Sequence, residues 1–205
     1  MISSCLFTIS APSGAGKTSL VKALLERNPL IDVCVSHATR AMRPGEVDGQ
    51  DYHFVSIEQF ETMVEQDAFL EHAKVFDNYY GTAQLSVESL LSQGKNVILE
   101  IDWQGAQQVK QKIPETVPVF ILPPSRETLR QRLIDRKTDD ESIIERRMAD
   151  ADKEMSHYSD ADYLVINDDF DQALKELESI ICCQSLTLAR QKLRFADLIA
   201  SIEHE

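Results

Sequence analysis

The sequence predicts an α/β protein built on a parallel sheet. Three observations carry this prediction. Short apolar runs alternate with helix-like runs, a stretch of small residues ending in Lys17-Thr18 joins the first apolar run to the first helix, and polar residues follow the later apolar runs. Strands separated by helices pair in parallel, and ligands of such sheets bind beyond the carboxyl ends of the strands. We therefore expect a ligand site that distant segments share.

Apolar spacing, helix caps and turn residues predict the elements of the first part. From residue 37 the composition becomes polar and rich in turn residues, which indicates an inserted lobe. Ser56 and Gln59 have the spacing of a capping box, which marks the start of a helix inside this lobe. The predicted elements are a strand at 5–10, a helix from Lys17 to Asn28, a strand at 32–36, a helix at 57–66, antiparallel strands on either side of a turn at 77–81, and a helix at 86–93.

The second part returns to the core pattern. The apolar run at 96–102 contains Glu100 and Asp102 at its end, and alternation places both carboxylates on the same strand face. A second capping box, Thr138 with Glu141, is expected to open a charged helix. The predicted elements are strands at 96–102, 117–122 and 163–166, an arginine-rich helix capped by Ser125, a charged helix reaching toward Ser156, and one long amphipathic helix from about Asp169 almost to the end.

The composition favours one compact, acidic protein. Its 205 residues are 43% hydrophobic, which is enough for a single core. The net charge of −13 argues against a nucleic-acid or anionic-membrane binder, because such proteins need a broad basic surface. The cysteines at 5, 34, 182 and 183 lack C-x-x-C spacing, and neither a basic leader nor a membrane-length apolar run is present, so we expect a cytoplasmic protein with reduced thiols.

The small residues at 10–18 have the composition of a phosphate-binding P-loop. Small side chains let successive backbone N–H groups surround a phosphate, while Lys17 adds positive charge and Thr18 is placed to ligate Mg²⁺. Ala11 stands where the G-x-x-x-x-G-K-[ST] pattern asks for its first glycine, and we expect its small side chain to be tolerated. The alternative interpretation is a small-residue turn before an ordinary helix.

The inserted lobe contains donors for a second phosphate. Two arginines and two tyrosines there could converge on an anion separate from the one at the P-loop, which implies a phosphate-bearing acceptor substrate. The alternative for the arginines is solvated surface charge, because arginine is common at turns. The donors are Arg40, Arg43, Tyr52 and Tyr80.

A dense group of arginines lies on the two helices predicted after residue 125. Arginines on a mobile lid can bring guanidinium groups onto a transferring phosphoryl group. The alternative is an exposed helix pair whose arginines bind neighbouring Asp and Glu side chains. The group consists of Arg130, Arg132 and Arg136 on the first helix, and Arg146 and Arg147 on the second.

Glu100 and Asp102 are candidates to hold Mg²⁺ or its waters, as the carboxylate of a P-loop enzyme does. A paired-carboxylate hydrolase is the other chemical interpretation of this pair. We favour phosphoryl transfer, because it requires positioning and charge neutralisation, and the chain supplies both. The histidines lack the spacing of zinc ligands.

Taken together, these segments resemble the guanylate kinases, enzymes that move the γ-phosphoryl group of ATP onto GMP. The resemblance runs in order along nearly the whole chain, and the T-x-R-x-x-R-P-G-E segment combined with a P-loop is its most specific part. The matching runs are SAPSGAGKT at 10–18, VSHATR at 35–40 with RPGE at 43–46, GQDYHF at 49–54, YYGT at 79–82, IDWQG at 101–105 and NDD at 167–169.

The resemblance implies residue roles at two substrates, ATP and GMP or dGMP, with Mg²⁺ as the cofactor. The ATP-binding residues would be Ala11, Pro12, Ser13, Gly14, Ala15, Gly16, Lys17, Thr18 and Asn167. The GMP-binding residues would be Ser36, Arg40, Arg43, Tyr52, Glu71, Tyr80, Thr82 and Asp102. The catalytic residues would be Lys17, Arg40, Arg132, Arg136 and Arg147, and the metal ligands Thr18 and, as a candidate, Glu100.

The resemblance also implies a P-loop nucleoside monophosphate kinase fold in three parts. These are a parallel-sheet core at 1–35, 94–125 and 159–205, an inserted GMP-binding lobe at 36–93, and a helical lid at 126–158 that closes on ligand. A homo-oligomer is compatible with the sequence. Two sequence features depart from the family pattern, namely Glu100 in place of aspartate and Arg136-Lys137-Thr138 in place of Arg-Gly-Thr.

The sequence leaves two rival functions. One is a guanylate-kinase-like binding module that recognises a phosphorylated partner, although such a module has no need of an intact Gly16-Lys17-Thr18. The other is a kinase for AMP or dTMP, against which Glu71 and the R-P-G-E segment argue.

Overall fold

The computed structural model describes residues 4–75, 77–135 and 141–203. The strands of these residues are β1 (Leu6–Ser10), β2 (Ile31–Val33), β3 (His37–Ala38), β4 (His53–Phe54), β5 (Phe69–Val75), β6 (Asn78–Ala83), β7 (Asn96–Glu100), β8 (Val117–Leu122) and β9 (Tyr163–Ile166). The helices are α1 (Lys17–Arg27), α2 (Ile57–Glu65), α3 (Gln84–Ser92), α4 (Trp103–Lys112), α5 (Arg126–Asp135), α6 (Glu141–Met155), a 3₁₀ helix (Ser156–Asp160), α7 (Phe170–Ser185), α8 (Leu188–Arg194) and α9 (Ala196–Glu203).

A five-stranded parallel sheet of order β2-β7-β1-β8-β9 forms the core, as the sequence predicts. The central strand β1 is buried along its whole length because its residues are packed by helices on both faces. On one face, Leu20 and Leu24 of α1 join Leu174 and Leu177 of α7 in a single apolar cluster. Burial of side chains of this size contributes about 1.5–3 kcal/mol each, so the sheet is a rigid base for the loops at its edge.

A second sheet of order β4-β3-β6-β5 lies in the region predicted as the inserted lobe. Its strands β5 and β6 are antiparallel, as predicted. The capping box before α2 is confirmed, since Gln59 N–H donates to Ser56 Oγ and Ser56 N–H donates to Gln59 Oε1. Phe60 of α2 stacks on Phe69 of β5 with ring centroids 4.6 Å apart, which fixes the helix on the sheet.

Helices α5 and α6 pack on each other through a separate apolar cluster. Leu129 and Leu133 of α5 meet Ile144 and Met148 of α6 there. Ser125 caps α5 as predicted, because its Oγ accepts from Thr128 N–H at 3.1 Å. The Thr138 capping box lies outside the described residues. The division into core, lobe and lid at the stated boundaries stays a prediction.

Some predicted elements are wrong in detail. Residues 32–36 do not form one strand, because β2 ends at Val33 and the lobe sheet begins at His37. The turn predicted at 77–81 is shorter, since β6 already begins at Asn78. The long terminal helix is interrupted twice, after Ser185 and after Arg194, and forms α7, α8 and α9.

The largest correction concerns Asp102. The strand ends at Glu100, and Asp102 is the N-cap of α4, a helix that the sequence analysis missed. Its Oδ1 accepts from Gly105 N–H at 2.9 Å, which satisfies one of the backbone donors left unpaired at a helix start. Glu100 and Asp102 are therefore not on one strand face.

No helix in the described part of the chain is long and apolar enough to cross a membrane.

Candidate active site

The loop after β1 has the backbone of an anion-binding loop. Gly14 and Gly16 have φ angles of +97° and +93°, a conformation that side chains other than glycine rarely adopt. Gly16 is the N-cap of α1, so the loop amides and the helix dipole face the same space. Ala11 is not among the residues with positive φ, which explains why alanine is compatible with this position.

Hydrogen bonds from two side chains, those of Asn167 and Arg132, connect the loop to the neighbouring elements. Asn167, which is 4% exposed, donates from Nδ2 to Ala15 O at 2.7 Å. Arg132 of α5 donates to Asn167 O at 2.9 Å and to Ala15 O at 3.5 Å. The end of β9 and the helix α5 are thereby connected to the loop. Contact between Asn167 and adenine stays a prediction.

Lys17 and Thr18 extend from the first turn of α1 toward the end of β7. Lys17 Nζ donates to Ile101 O at 3.2 Å, and Thr18 Oγ1 donates to Glu100 Oε2 at 3.1 Å. A hydroxyl beside a carboxylate suits Mg²⁺, which takes few protein ligands and completes its shell with water and phosphate oxygens. The described residues contain no cluster of three His, Cys, Asp or Glu side chains that could hold a metal ion.

A single pocket of about 260 Å³ joins the loop to the lobe sheet. It brings together most of the predicted site residues, which come from the loop, the lobe and the end of β7. The residues that line it are Ala11, Pro12, Ser13, Gly14, Gly16, Lys17, Thr18, Ser19, Ser36, Arg40, Arg43, Tyr52, Glu71, Ala73, Val75, Tyr80, Glu100, Ile101, Asp102 and Glu154.

A buried carboxylate lies at the lobe end of this pocket. Glu71, 2% exposed, accepts from Thr82 Oγ1 at 2.6 Å, and Ser36 Oγ lies 2.9 Å from the same hydroxyl. Because Thr82 has one hydroxyl proton and donates it to Glu71, Ser36 must donate to Thr82. Burial raises the pKa of Glu71 to about 7, and nearby Asp102 acts in the same direction. A ligand that offers N–H donors to Glu71 would stabilise its charged form.

Gly105 in the first turn of α4 leaves space for this carboxylate. A Cβ atom added to Gly105 would lie 2.4 Å from Glu71 Oε2 and 3.1 Å from Cδ. Gly105 belongs to the I-D-W-Q-G motif at 101–105, but the sequence predicts no role for it, because nothing local indicates contact with a residue of β5.

We expect Gly105→Ala to raise KM for GMP about 10-fold, because the added methyl group displaces Glu71, and displacements near 1 Å at a binding group have effects of this order or larger. Alanine is the better helix former, so an unfavourable effect would come from the contact and not from helix propensity. The check is to measure the KM for GMP of Gly105→Ala and of a control variant, Gln111→Ala, by steady-state kinetics. Gln111 is exposed on the same helix. An unaltered KM would show that Glu71 does not depend on this space.

The predicted phosphate donors of the lobe lie together at another wall of the pocket. The Arg40 guanidinium donates to both Glu46 carboxylate oxygens, at 2.6 and 2.5 Å, and lies 5.0 Å from the centroid of the Tyr52 ring. The hydrogen bonds from Arg40 to Glu46 raise the pKa of Arg40, which stays charged. Tyr80 contacts Tyr52 edge-on. Glu46, a residue of the R-P-G-E motif for which the sequence predicts no role of its own, therefore orients Arg40.

The arginines after residue 125 divide into different groups. Arg130 binds Glu141 and Glu145 across the α5–α6 pair, so for this residue the interpretation as an ion-paired helix surface is correct. Arg146 Nη2 lies 3.6 Å from Asp77 Oδ2 in the lobe, which makes an ion pair between the two regions. Arg147 is on α6, and Arg136 lies outside the described residues.

A parallel sheet with a P-loop, and a second polar site in the same pocket, defines a P-loop nucleoside monophosphate kinase. The family model for guanylate kinase matches residues 4–184. Guanylate kinases of Saccharophagus degradans and Methylococcus capsulatus are 59% and 56% identical to this chain, covering 96% of both chains in the first case, and 98% of this chain and 99% of the relative in the second. The chain therefore belongs to the guanylate kinase family.

A solved structure agrees with this assignment. The crystal structure of guanylate kinase from Anaplasma phagocytophilum matches with a TM-score of 0.78 and 31% identity, covering 93% of this chain and 90% of that one. The predicted family, the α/β P-loop kinase fold and the enzyme class are thus confirmed.

Proposed function

We propose that the protein transfers the γ-phosphoryl group of ATP to GMP, giving ADP and GDP, and accepts dGMP in the same way. The observation that supports this best is the shared pocket, in which the P-loop and the buried carboxylate of Glu71 face one space. In this arrangement the γ-phosphate of ATP at Lys17 meets the phosphate of GMP at Arg40. The phosphoryl group can then pass directly from one nucleotide to the other.

ATP occupies the loop end in this proposal. The phosphates lie against the backbone of residues 11–18, as anions do at a helix N-terminus, and Asn167 lies near adenine. Thr18, with Glu100 as a second candidate ligand, holds Mg²⁺, which when bound neutralises charge on the phosphate oxygens. Lys17 adds a positive charge that contacts the phosphoryl group during transfer.

GMP occupies the lobe end. Guanine presents neighbouring N–H donors at N1 and N2, and Glu71 can accept both, while Ser36 and Thr82 fix the orientation of the carboxylate. Arg40, Arg43, Tyr52 and Tyr80 bind the GMP phosphate. Asp102 belongs to the same end, near Glu71.

Catalysis in this proposal depends on positioning and charge. Phosphoryl transfer needs little covalent chemistry from the protein, so its main contributions are alignment, positive charge and exclusion of water. Arg132, Arg136 and Arg147 close over the phosphates from the proposed lid. Arg132 is the best supported of the three, because it already contacts the loop backbone. We further propose a cytoplasmic location, with nucleotides and not nucleic acids or membranes as partners.

The direct test is product identification. Purified protein with ATP, GMP and Mg²⁺ should form ADP and GDP in equal amounts, as resolved by anion-exchange chromatography. With ATP alone, ADP should not accumulate at a comparable rate. Release of inorganic phosphate in place of GDP would contradict the proposal and favour a hydrolase.

A further inference from the structure

Glu154 lines the pocket but has no role in the phosphoryl transfer proposed above. It lies near the end of α6 and lines the pocket together with Gly14, Gly16 and Lys17. Its Oε2 accepts from the backbone N–H of Ser13 at 3.3 Å, although the two residues are 141 positions apart in sequence. A carboxylate of the α5–α6 pair thus binds a backbone donor of the P-loop.

This contact uses a donor that belongs to an anion site. The amides of such a loop form a concavity that binds negative groups, and a side-chain carboxylate is one such group. Among the described residues, the charged groups that act most strongly on Glu154 are Lys17 from α1, Asp102 at the start of α4 and Asp150 from α6 itself. Lys17 favours the negative charge, whereas the two aspartates oppose it and would also repel a phosphate.

We propose that Glu154 occupies part of the P-loop anion site when no nucleotide is bound, and that the phosphates of ATP must displace it. The proposal rests on the assignment of the P-loop to ATP made above. It makes Glu154 a determinant of ATP affinity that acts by competition. It also links ATP binding to the loss of the contact between Glu154 and the loop, because the Ser13 amide cannot serve both anions.

The buried position of Glu154 also makes its negative charge less stable, which favours either protonation of the carboxylate or its departure from the loop. Burial raises the pKa of Glu154 to about 7, with Asp102 and Asp150 contributing in the same direction and Ser13 N–H and Lys17 opposing them. Above pH 7 the side chain is mainly charged and competes with phosphate. Below pH 7 it is mainly neutral and competes less.

The test compares ATP binding to the wild type and to Glu154→Gln by isothermal titration calorimetry with MgCl₂ and without GMP. Glutamine keeps the size and one acceptor oxygen but removes the charge. We expect ATP to bind Glu154→Gln about 3- to 30-fold more tightly at pH 8, because a charged competitor for a hydrogen-bond donor is lost. The gain should shrink at pH 6. The protonation of ATP itself cancels in this ratio.

The matched control is Asp152→Asn, which removes one negative charge from the same helix. Asp152 binds Arg126 at 2.6 Å and does not line the pocket, so ATP affinity should stay within about 2-fold, as expected for a surface ion pair. Equal tightening in this control would mean that net charge, and not competition, causes the effect.

Two other outcomes are distinguishable. If Glu154→Gln binds ATP no more tightly than the wild type, or if its ratio to the wild type is the same at both pH values, Glu154 only supports the structure and the inference is wrong. If calorimetry detects no ATP binding to either the wild type or Glu154→Gln, ATP does not occupy the P-loop, and the proposed function fails with the inference.

Discussion

Replacement of Lys17 by alanine should lower kcat by about 10²-fold or more. Lys17 Nζ projects into the pocket and donates to Ile101 O at 3.2 Å, so its charge is held beside the space where the phosphoryl group would pass. A donor that acts mainly on developing charge affects kcat more than substrate binding, and loss of one such donor costs roughly 2.7–4 kcal/mol. Steady-state kinetics at saturating ATP and GMP give the value.

The binding of GMP should survive this change, because the lobe supplies its contacts. Calorimetry with GMP should give a dissociation constant close to that of the wild type. Lys22→Ala, an exposed change on the same helix, is the matched control and should retain full activity. A Lys17→Ala enzyme with near-normal turnover would remove the P-loop from the catalytic site.

The second large effect is expected from Glu71→Gln, which should lower kcat/KM for GMP by about 10- to 10³-fold. Glutamine replaces one acceptor oxygen by an NH₂ donor, so one guanine N–H would face another donor in a buried site. The lost complementarity corresponds to about 1.5–4 kcal/mol. The affinity for ATP should change little, since other segments form its site. Kinetics with GMP varied at saturating ATP provide the measurement.

Glu61→Gln is a suitable control for this variant, because Glu61 is exposed on α2 in the same lobe. It should leave kcat/KM for GMP unaltered. If Glu71→Gln behaves like this control, Glu71 is a buried structural carboxylate and does not read the base.

The P-loop could be predicted from the sequence because a short continuous segment determines its structure. The P-loop is continuous in sequence, and its small residues with Lys17 and Thr18 allow few other structures. The expectation of a site shared by distant segments also followed from one topological rule, because the P-loop, Asp102 and Asn167 all come after strands of the same parallel sheet.

The start of α4 shows where local patterns are ambiguous. An apolar run that ends in acidic residues fits a strand, but it does not show where the strand stops and a helix cap begins. Asp102 satisfies both interpretations until the hydrogen bond from Gly105 N–H is known. Near the end of the chain, no glycine or proline marks the breaks after Ser185 and Arg194, so the apolar spacing predicts one helix where three form.

The contacts between distant segments had no signal in the sequence. The bonds of Asn167 to Ala15, of Arg132 to Asn167 and of Glu154 to Ser13 each join residues at least 35 positions apart. Such pairs depend on how the helices pack on the sheet. The strand-end rule and the family resemblance made Asn167 a candidate site residue, and the arginine-rich helix and the resemblance did so for Arg132. Neither predicted the present partners of these residues, and neither pointed to Glu154.

The most direct test of the account is a comparison of acceptor nucleotides at saturating ATP, with ADP formation coupled to NADH oxidation. GMP offers two N–H donors to Glu71, inosine monophosphate offers only N1–H, and AMP places an acceptor at N1. We predict that kcat/KM falls in that order, with AMP at least about 10²-fold below GMP, because a buried charged acceptor would be left without a donor. Equal use of AMP and GMP, or no ADP formation with GMP, would contradict the central claim that Glu71 selects guanine for phosphoryl transfer from ATP.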